Sequence, residues 1–150
     1  MRVLALDVGL RRVGFAISDP TCTLARPLLT VTVGRGDRLD RIARQIAELA
    51  AEEDGVGEVV VGLPARLDGT PTPQTALVLA FIESLKGKIA IPIVTEDERL
   101  TSHEAESRLA VREKDWRKRK AQLDAVAASI FLQDYLDRRA DGPLSDPLDL

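Results

Sequence analysis

Three parts of the chain place carboxylates at or near the ends of apolar segments. Asp7 sits near the end of the apolar run Arg2–Val8. Glu96, Asp97 and Glu98 follow directly on a run that ends at Val94. Asp124 lies one turn into a strongly periodic segment, Gln122–Leu136. A carboxylate beside a sheet interior is costly unless it is paired or binds a cation. Three carboxylates from three elements, with a single histidine (His103) and a single cysteine (Cys22) in the chain, suit a hard, oxygen-seeking ion such as Mg²⁺ or Mn²⁺. Two such ions about 4 Å apart activate water and stabilise the leaving oxygen in phosphodiester hydrolysis. The competing readings are local. Asp7 caps the turn at Gly9, Glu98 pairs with Arg99, and Asp124 merely favours a helix N-terminus.

Cations lie close to these acids in sequence. Arg11 and Arg12 come just after Asp7. The segment 112–120, REKDWRKRK, holds six basic and two acidic residues, and Arg117, Lys118, Arg119 and Lys120 run into the segment bearing Asp124. Local positive charge beside an acidic centre is what a phosphodiester backbone requires. Trp116 either stacks on a base or, the preferred reading, anchors this linker to the core. The loop 65–72, with Arg66, Asp68, Gly69 and Thr70, reads first as a strand-to-helix connection and second as a substrate contact. His103 reads as a solvent-facing residue at a helix start. There is no GxxxxGK(S/T), no GxGxxG and no Ser-centred nucleophile elbow.

The elements that must position these groups follow from periodicity. Arg2–Val8 and Val13–Ser18 form a hairpin about Gly9. The first strand has Val3, Ala5 and Asp7 on one face and Leu4, Leu6 and Val8 on the other, so it is covered on both sides. Leu24–Val33 is a third strand, and Pro27 suits an edge position or a late strand start. Asp37–Ala51 and Gln74–Leu85 carry helical spacing. Glu58–Leu63 and Ile89–Val94 are brief, nearly all-apolar runs, read as buried strands. Thr101 and Glu104 fit a capping box for a short helix. Gln122–Leu136 is the last helix, with Asp124 on the same stripe as Ala128, Phe131 and Tyr135. The order β-β-β-α-β-α-β-α-α predicts an α/β fold with a mixed five-stranded sheet flanked by helices.

Composition bounds the rest. With 150 residues, 45% hydrophobic and 30% charged, the chain suits one domain with its own core. The expected domain covers 1–138, with 139–150 as a flexible tail. One cysteine excludes a disulfide framework. The opening residues form neither a signal peptide nor a membrane span, so a cytoplasmic protein is expected. The net charge of −3 speaks against a nucleic-acid partner until it is divided: segment 112–120 carries +4, and 134–150 holds five acids against two bases.

Four ordered motifs then carry a family resemblance over roughly residues 2–138. They are Leu4-Ala5-Leu6-Asp7-Val8-Gly9 with Arg11–Asp19, Val60-Val61-Gly62-Leu63-Pro64 with Asp68-Gly69-Thr70, Asp97-Glu98-Arg99-Leu100-Thr101-Ser102 with Glu104-Ala105, and Asp124-Ala125-Val126-Ala127-Ala128 with Ile130-Phe131-Leu132. With these the chain resembles the YqgF/RuvX family, known as Holliday junction resolvases and, in bacteria, as nucleases processing the small-subunit (16S) ribosomal RNA precursor. The resemblance implies an RNase H-like fold, a divalent-metal-dependent endonuclease using Mg²⁺ or Mn²⁺, and Asp7, Glu98 and Asp124 as catalytic, metal-holding carboxylates. Glu98 is chosen over Asp97 as the middle of the Asp-Glu-Arg motif, and strand alternation puts 96 and 98 on one face with 97 opposite. Arg11, Arg12, Arg99 and Arg117–Lys120 are then the nucleic-acid contacts. The implied partner is structured RNA or branched DNA, met by a monomer or a homodimer. More distant RuvC-like resolvases have a further acid where this chain has Ala127.

Two other functions compete. One is a noncatalytic nucleic-acid-binding factor in ribosome assembly. The other is an ATPase-like nucleotide-binding domain, which the chain's single-lobe length disfavours.

Overall fold

The alternation in the first strand decides how the molecule is layered. In the computed structural model, which describes residues 1–34, 36–64, 70–97 and 116–145 (side chains of 116–121 and 141–145 apart), β1 (Arg2–Val8) lies at the centre of a five-stranded sheet. β2 (Arg12–Ser18) and β3 (Ala25–Thr32) complete an antiparallel meander, and β4 (Val56–Leu63) and β5 (Ile93–Asp97) add in parallel, giving the order β3-β2-β1-β4-β5. Pro27 is on edge strand β3, where a missing N–H is tolerated. Beside it the register with β2 slips by one residue, Phe15 facing Leu29 and Ala16 facing Pro27.

Each face of β1 has its own core. Leu4, Leu6 and Val8 pack with Phe15, Ile17, Val59 and Val61 beneath α1 (Arg38–Ala50) and α2 (Pro73–Lys86). Val3 and Ala5 pack with Ala16 and Val60 against Ala128, Phe131, Leu132 and Leu136 of α3 (Trp116–Ser145). Phe15 and Phe131 are both fully buried, one on each side. Burial of such a side chain contributes about 1.5–3 kcal/mol. α2 starts at Pro73 behind a reciprocal cap, in which Thr72 Oγ1 accepts from the Thr75 N–H and Thr75 Oγ1 accepts from the Thr72 N–H.

Three expected boundaries are corrected. The strand expected at Ile89–Val94 is Ile93–Asp97. Ile89 instead closes the end of α2, its N–H donating to the Leu85 carbonyl, while Ile89 and Ile91 fill the core from a loop. The last helix is far longer than Gln122–Leu136. It takes in Trp116–Lys120, expected as a linker, and continues past Arg138 to Ser145, where a loose tail was expected. Asp124 is therefore more than two turns into its helix and is not an N-terminal charge. The short helix expected after Thr101, His103 included, lies outside the described residues, as do Arg66, Asp68 and Gly69.

Candidate active site

Asp7 belongs, by the pleat, to the β1 face of Val3 and Ala5, which is the face that α3 covers. Its partner across the hairpin is Gly14. The α3 backbone docks directly on that glycine. A Cβ built on Gly14 would lie 2.2 Å from the Asp124 carbonyl carbon, 2.3 Å from its oxygen and 2.5 Å from the Ala125 nitrogen. A glycine inside a strand often marks such a close backbone approach. Asp7 and Asp124, 117 positions apart in sequence, thus meet the same residue, one as its strand partner and the other through the helix backbone.

Asp124 is half-buried, and Arg12 supplies its counter-charge, with Nε donating to Oδ2 at 3.0 Å. Burial pushes the Asp124 carboxyl above the ordinary carboxylate range, and the charge and hydrogen bond of Arg12 pull it part of the way back. The sequence assigned Arg12 to phosphate. In this structure its partner is the helix carboxylate. Arg11, one residue nearer the turn, is exposed. The turn itself is tight, with the Gly9 N–H donating to the Arg12 carbonyl at 2.9 Å.

The third carboxylate cluster approaches along β5. Leu6 pairs with Val61 and Glu96 pairs with Gly62, so Asp7 and Glu96 stand at about the same level of the sheet with Gly62 between them. Gly62 places no side chain in that gap. Glu96 is buried, forms an ion pair with Arg138 of α3, and accepts the Asp97 N–H at 3.2 Å. The alternation expected here is therefore present as far as Asp97: Val94 and Glu96 face α3. Glu98 and Arg99 lie outside the described residues. Arg117, Lys118, Arg119 and Lys120 occupy the opening turns of α3, and their side chains are not described. Among the described residues, no group of three His, Cys, Asp or Glu is placed to hold a metal ion.

Sequence reasoning missed two contributors. Gly14 was legible as a strand-interior glycine. Arg138, lying beyond the last periodic core residue, gave no signal of its pairing with Glu96.

A family model described as RuvX, Holliday junction resolvase, matches residues 1–138. The chain belongs to the RuvX family. A RuvX relative from Chloroflexus aurantiacus is 45% identical over 141 residues, 94% of this chain and 90% of its own length. One from Anaeromyxobacter dehalogenans is 44% identical over 140 residues, 93% of this chain and 99% of its own. Both carry the name "Putative pre-16S rRNA nuclease". RuvX is thus a nuclease family under either description. The fold is that of RuvC-like resolvases. Thermus thermophilus RuvC in complex with a Holliday junction substrate superposes with a TM-score of 0.53 at 17% identity, covering 93% of this chain and 96% of that one. The fowlpox virus resolvase, solved with Holliday junction DNA, gives 0.56 at 13% identity, covering 93% and 99%. Among the described residues of this RuvX chain, no helix is long and apolar enough to cross a membrane.

Proposed function

We propose that this protein is a cytoplasmic, divalent-metal-dependent endonuclease whose catalytic carboxylates are Asp7, Glu98 and Asp124, carried on a nuclease domain spanning 1–138. The observation that carries the reading is the meeting of Asp7 and Asp124 about Gly14. The donors fit the ion. All are carboxylate oxygens, and Asp124 is a half-buried acid that already sits against a cation in Arg12. A bound Mg²⁺ or Mn²⁺ supplies Lewis acidity toward water and a scissile phosphate.

The chain's own residues do the rest. The backbones at Asp7 and Asp124 are set by the sheet and by the helix docked on Gly14, which supports bringing the two carboxylates to one end of the sheet. Arg12 orients Asp124 from the side. Arg11, exposed at the turn, is free to meet a substrate phosphate, and the Arg117–Lys120 run opens the same helix that bears Asp124. Arg99 stands next to Glu98 in sequence and is assigned to phosphate.

The favoured substrate is the 16S rRNA precursor. Relatives 44–45% identical over at least 90% of their length carry that name, whereas the resolvases solved with junction DNA share the fold at 13–17% identity. Branched DNA is the second reading, favoured by the family's own description. The test compares wild type with Asp7→Asn on a 16S precursor fragment, single-stranded RNA and a four-way DNA junction, with Mn²⁺ or Mg²⁺. The expected result is precursor cleavage that falls below detection in Asp7→Asn at unchanged melting temperature. Metal-dependent cleavage retained by pure Asp7→Asn overturns the assignment.

A further inference from the structure

The sheet has a second feature at the same carboxyl edge, on the face away from α3. A groove of about 340 Å³ runs between α1, α2 and the β1–β2 turn. Its walls are apolar: Val8, Leu39, Val78 and Phe81, with Leu10 and Leu77 on the rim. The rim leucines are 73% and 58% exposed, a costly display for side chains of that size. The groove lies at the carboxyl end of β1, which pairs in parallel with β4, and open α/β sheets bind ligands at the carboxyl ends of their strands.

One cation enters this apolar setting. The Arg38 guanidinium carbon sits 5.1 Å from the centroid of the Phe81 ring, and one terminal nitrogen donates to the Leu10 carbonyl at 3.4 Å. Its Nε is buried and has no hydrogen-bond partner among the described residues. A buried donor left unmade costs free energy that a suitably placed acceptor would recover. Burial also pushes the Arg38 pKa below its ordinary value.

The occupant must therefore offer a flat or apolar body, a hydrogen-bond acceptor for one N–H, and negative charge nearby. An aliphatic chain leaves Nε unpaired. An acidic peptide leaves the apolar walls unused. A nucleobase with its attached phosphate meets all three requirements. We propose that this groove binds the base of an unpaired nucleotide next to the scissile phosphate. The inference rests on the nuclease reading, because Val8 and Gly9, which line the groove, follow directly on Asp7. A strand crossing the end of β1 then meets the carboxylates on one face and the groove on the other. Preference for an unpaired nucleotide at that position is the consequence.

The test uses Asp7→Asn protein with Mg²⁺ and two probes: a short single-stranded RNA carrying one 2-aminopurine, scanned along its length, and free 2-aminopurine ribonucleoside monophosphate. A blunt RNA duplex is the control. The result expected is a fluorescence change at one or two adjacent positions of the strand. Adding Arg38→Gln or Leu77→Glu should remove it and weaken single-strand binding about fivefold or more, with the duplex unaffected. Leu77 is on the exposed rim, so its variant keeps the fold if Arg38→Gln does not. A change seen with the free nucleotide but not with the strand overturns the substrate source. Wild-type affinity and fluorescence in both folded variants overturn the site. If wild type cleaves and Asp7→Asn does not, yet the groove variants behave as wild type, the groove proposal fails and the nuclease reading stands. If no nucleic acid is cleaved while the free nucleotide still binds through Arg38, the reverse holds.

Discussion

Arg12 Nε lies 3.0 Å from Asp124 Oδ2, which ties the carboxylate of the last helix to the hairpin that carries Asp7. The pair is partly shielded, with the two side chains 33% and 21% exposed. The same carboxylate is assigned to a divalent ion, so Arg12 and that ion draw on one acceptor. An ion pair at this depth is worth about 1 kcal/mol, or about fivefold in affinity.

Arg12→Gln is therefore expected to bind Mn²⁺ about fivefold more tightly, read from the free-ion signal by electron paramagnetic resonance. Cleavage by the same variant should slow by roughly 10-fold or more, because Asp124 loses its lateral restraint. Unchanged Mn²⁺ affinity would show that Arg12 does not compete at this site.

Gly14→Ala tests the docking of the helix. The added methyl would meet backbone atoms at 2.2–2.5 Å, and backbone cannot rotate away as a side chain can. α3 must lift from β2 near Asp124. Overpacking of this kind costs about 1–3 kcal/mol, a melting temperature lower by roughly 3–10 °C for a chain of this size. Cleavage should fall by about 100-fold, since a displacement of about 1 Å at a catalytic group has that effect. A scanning calorimeter and a single-turnover assay read the two losses. Wild-type melting together with wild-type cleavage would contradict the geometry.

The strands and helices were legible where burial enforces one periodicity. β1 shows both of its faces in sequence, and the stripe Asp124, Ala128, Phe131 and Tyr135 points inward, with Ala128 and Phe131 fully buried. Ile89–Ile91 misled because an apolar run records burial and not strand geometry. Ile89 and Ile91 pack half-buried against the core from a loop, Ala90 between them is exposed, and the strand proper begins after Pro92. The last helix overran its expected limits because its opening turns, Trp116–Lys120, are mostly charged and carry no apolar period. At the site, the acids were legible as charges beside apolar runs. The Arg12–Asp124 and Arg138–Glu96 pairs were not, since long cationic side chains reach partners that no spacing rule identifies.

Asp19 offers a test by acid. Its carboxylate accepts the N–H groups of Thr23 at 2.8 Å and Leu24 at 3.0 Å, together with the Thr21 hydroxyl, closing the β2–β3 turn. These bonds, that from Leu24 foremost, hold its pKa down to about 2 against an ordinary 3.8. A carboxyl with a depressed folded pKa contributes stability above its unfolded value, and that stability is lost as pH falls through the folded one. Asp19→Asn should melt below wild type at pH 6. The gap should narrow from about pH 4 downward and close near pH 2. A gap independent of pH across that range would assign the loss to something other than the charged cap.

Tyr135 separates stability from catalysis on the same helix. Its hydroxyl donates to Glu58 Oε1 at 2.5 Å, and Arg139 donates to the same oxygen at 2.9 Å, fastening the far end of α3 to β4. Burial, and then Glu58, push the tyrosine pKa up to about 12. Tyr135→Phe keeps the ring packing and loses the bond to a charged acceptor, at a cost of about 1 kcal/mol for a partly exposed site. A raised folded pKa makes the sign clear: the contribution is complete below pH 10 and is lost as pH rises toward 12. Denaturant melts at pH 8 should therefore separate the two proteins, and melts near pH 12 should bring them together. Cleavage at pH 8 should be unchanged, because Tyr135 is about 16 Å along the helix axis from Asp124. A cleavage defect in Tyr135→Phe as large as that of Gly14→Ala would mean that the whole helix, and not its contact with Gly14, sets the position of Asp124.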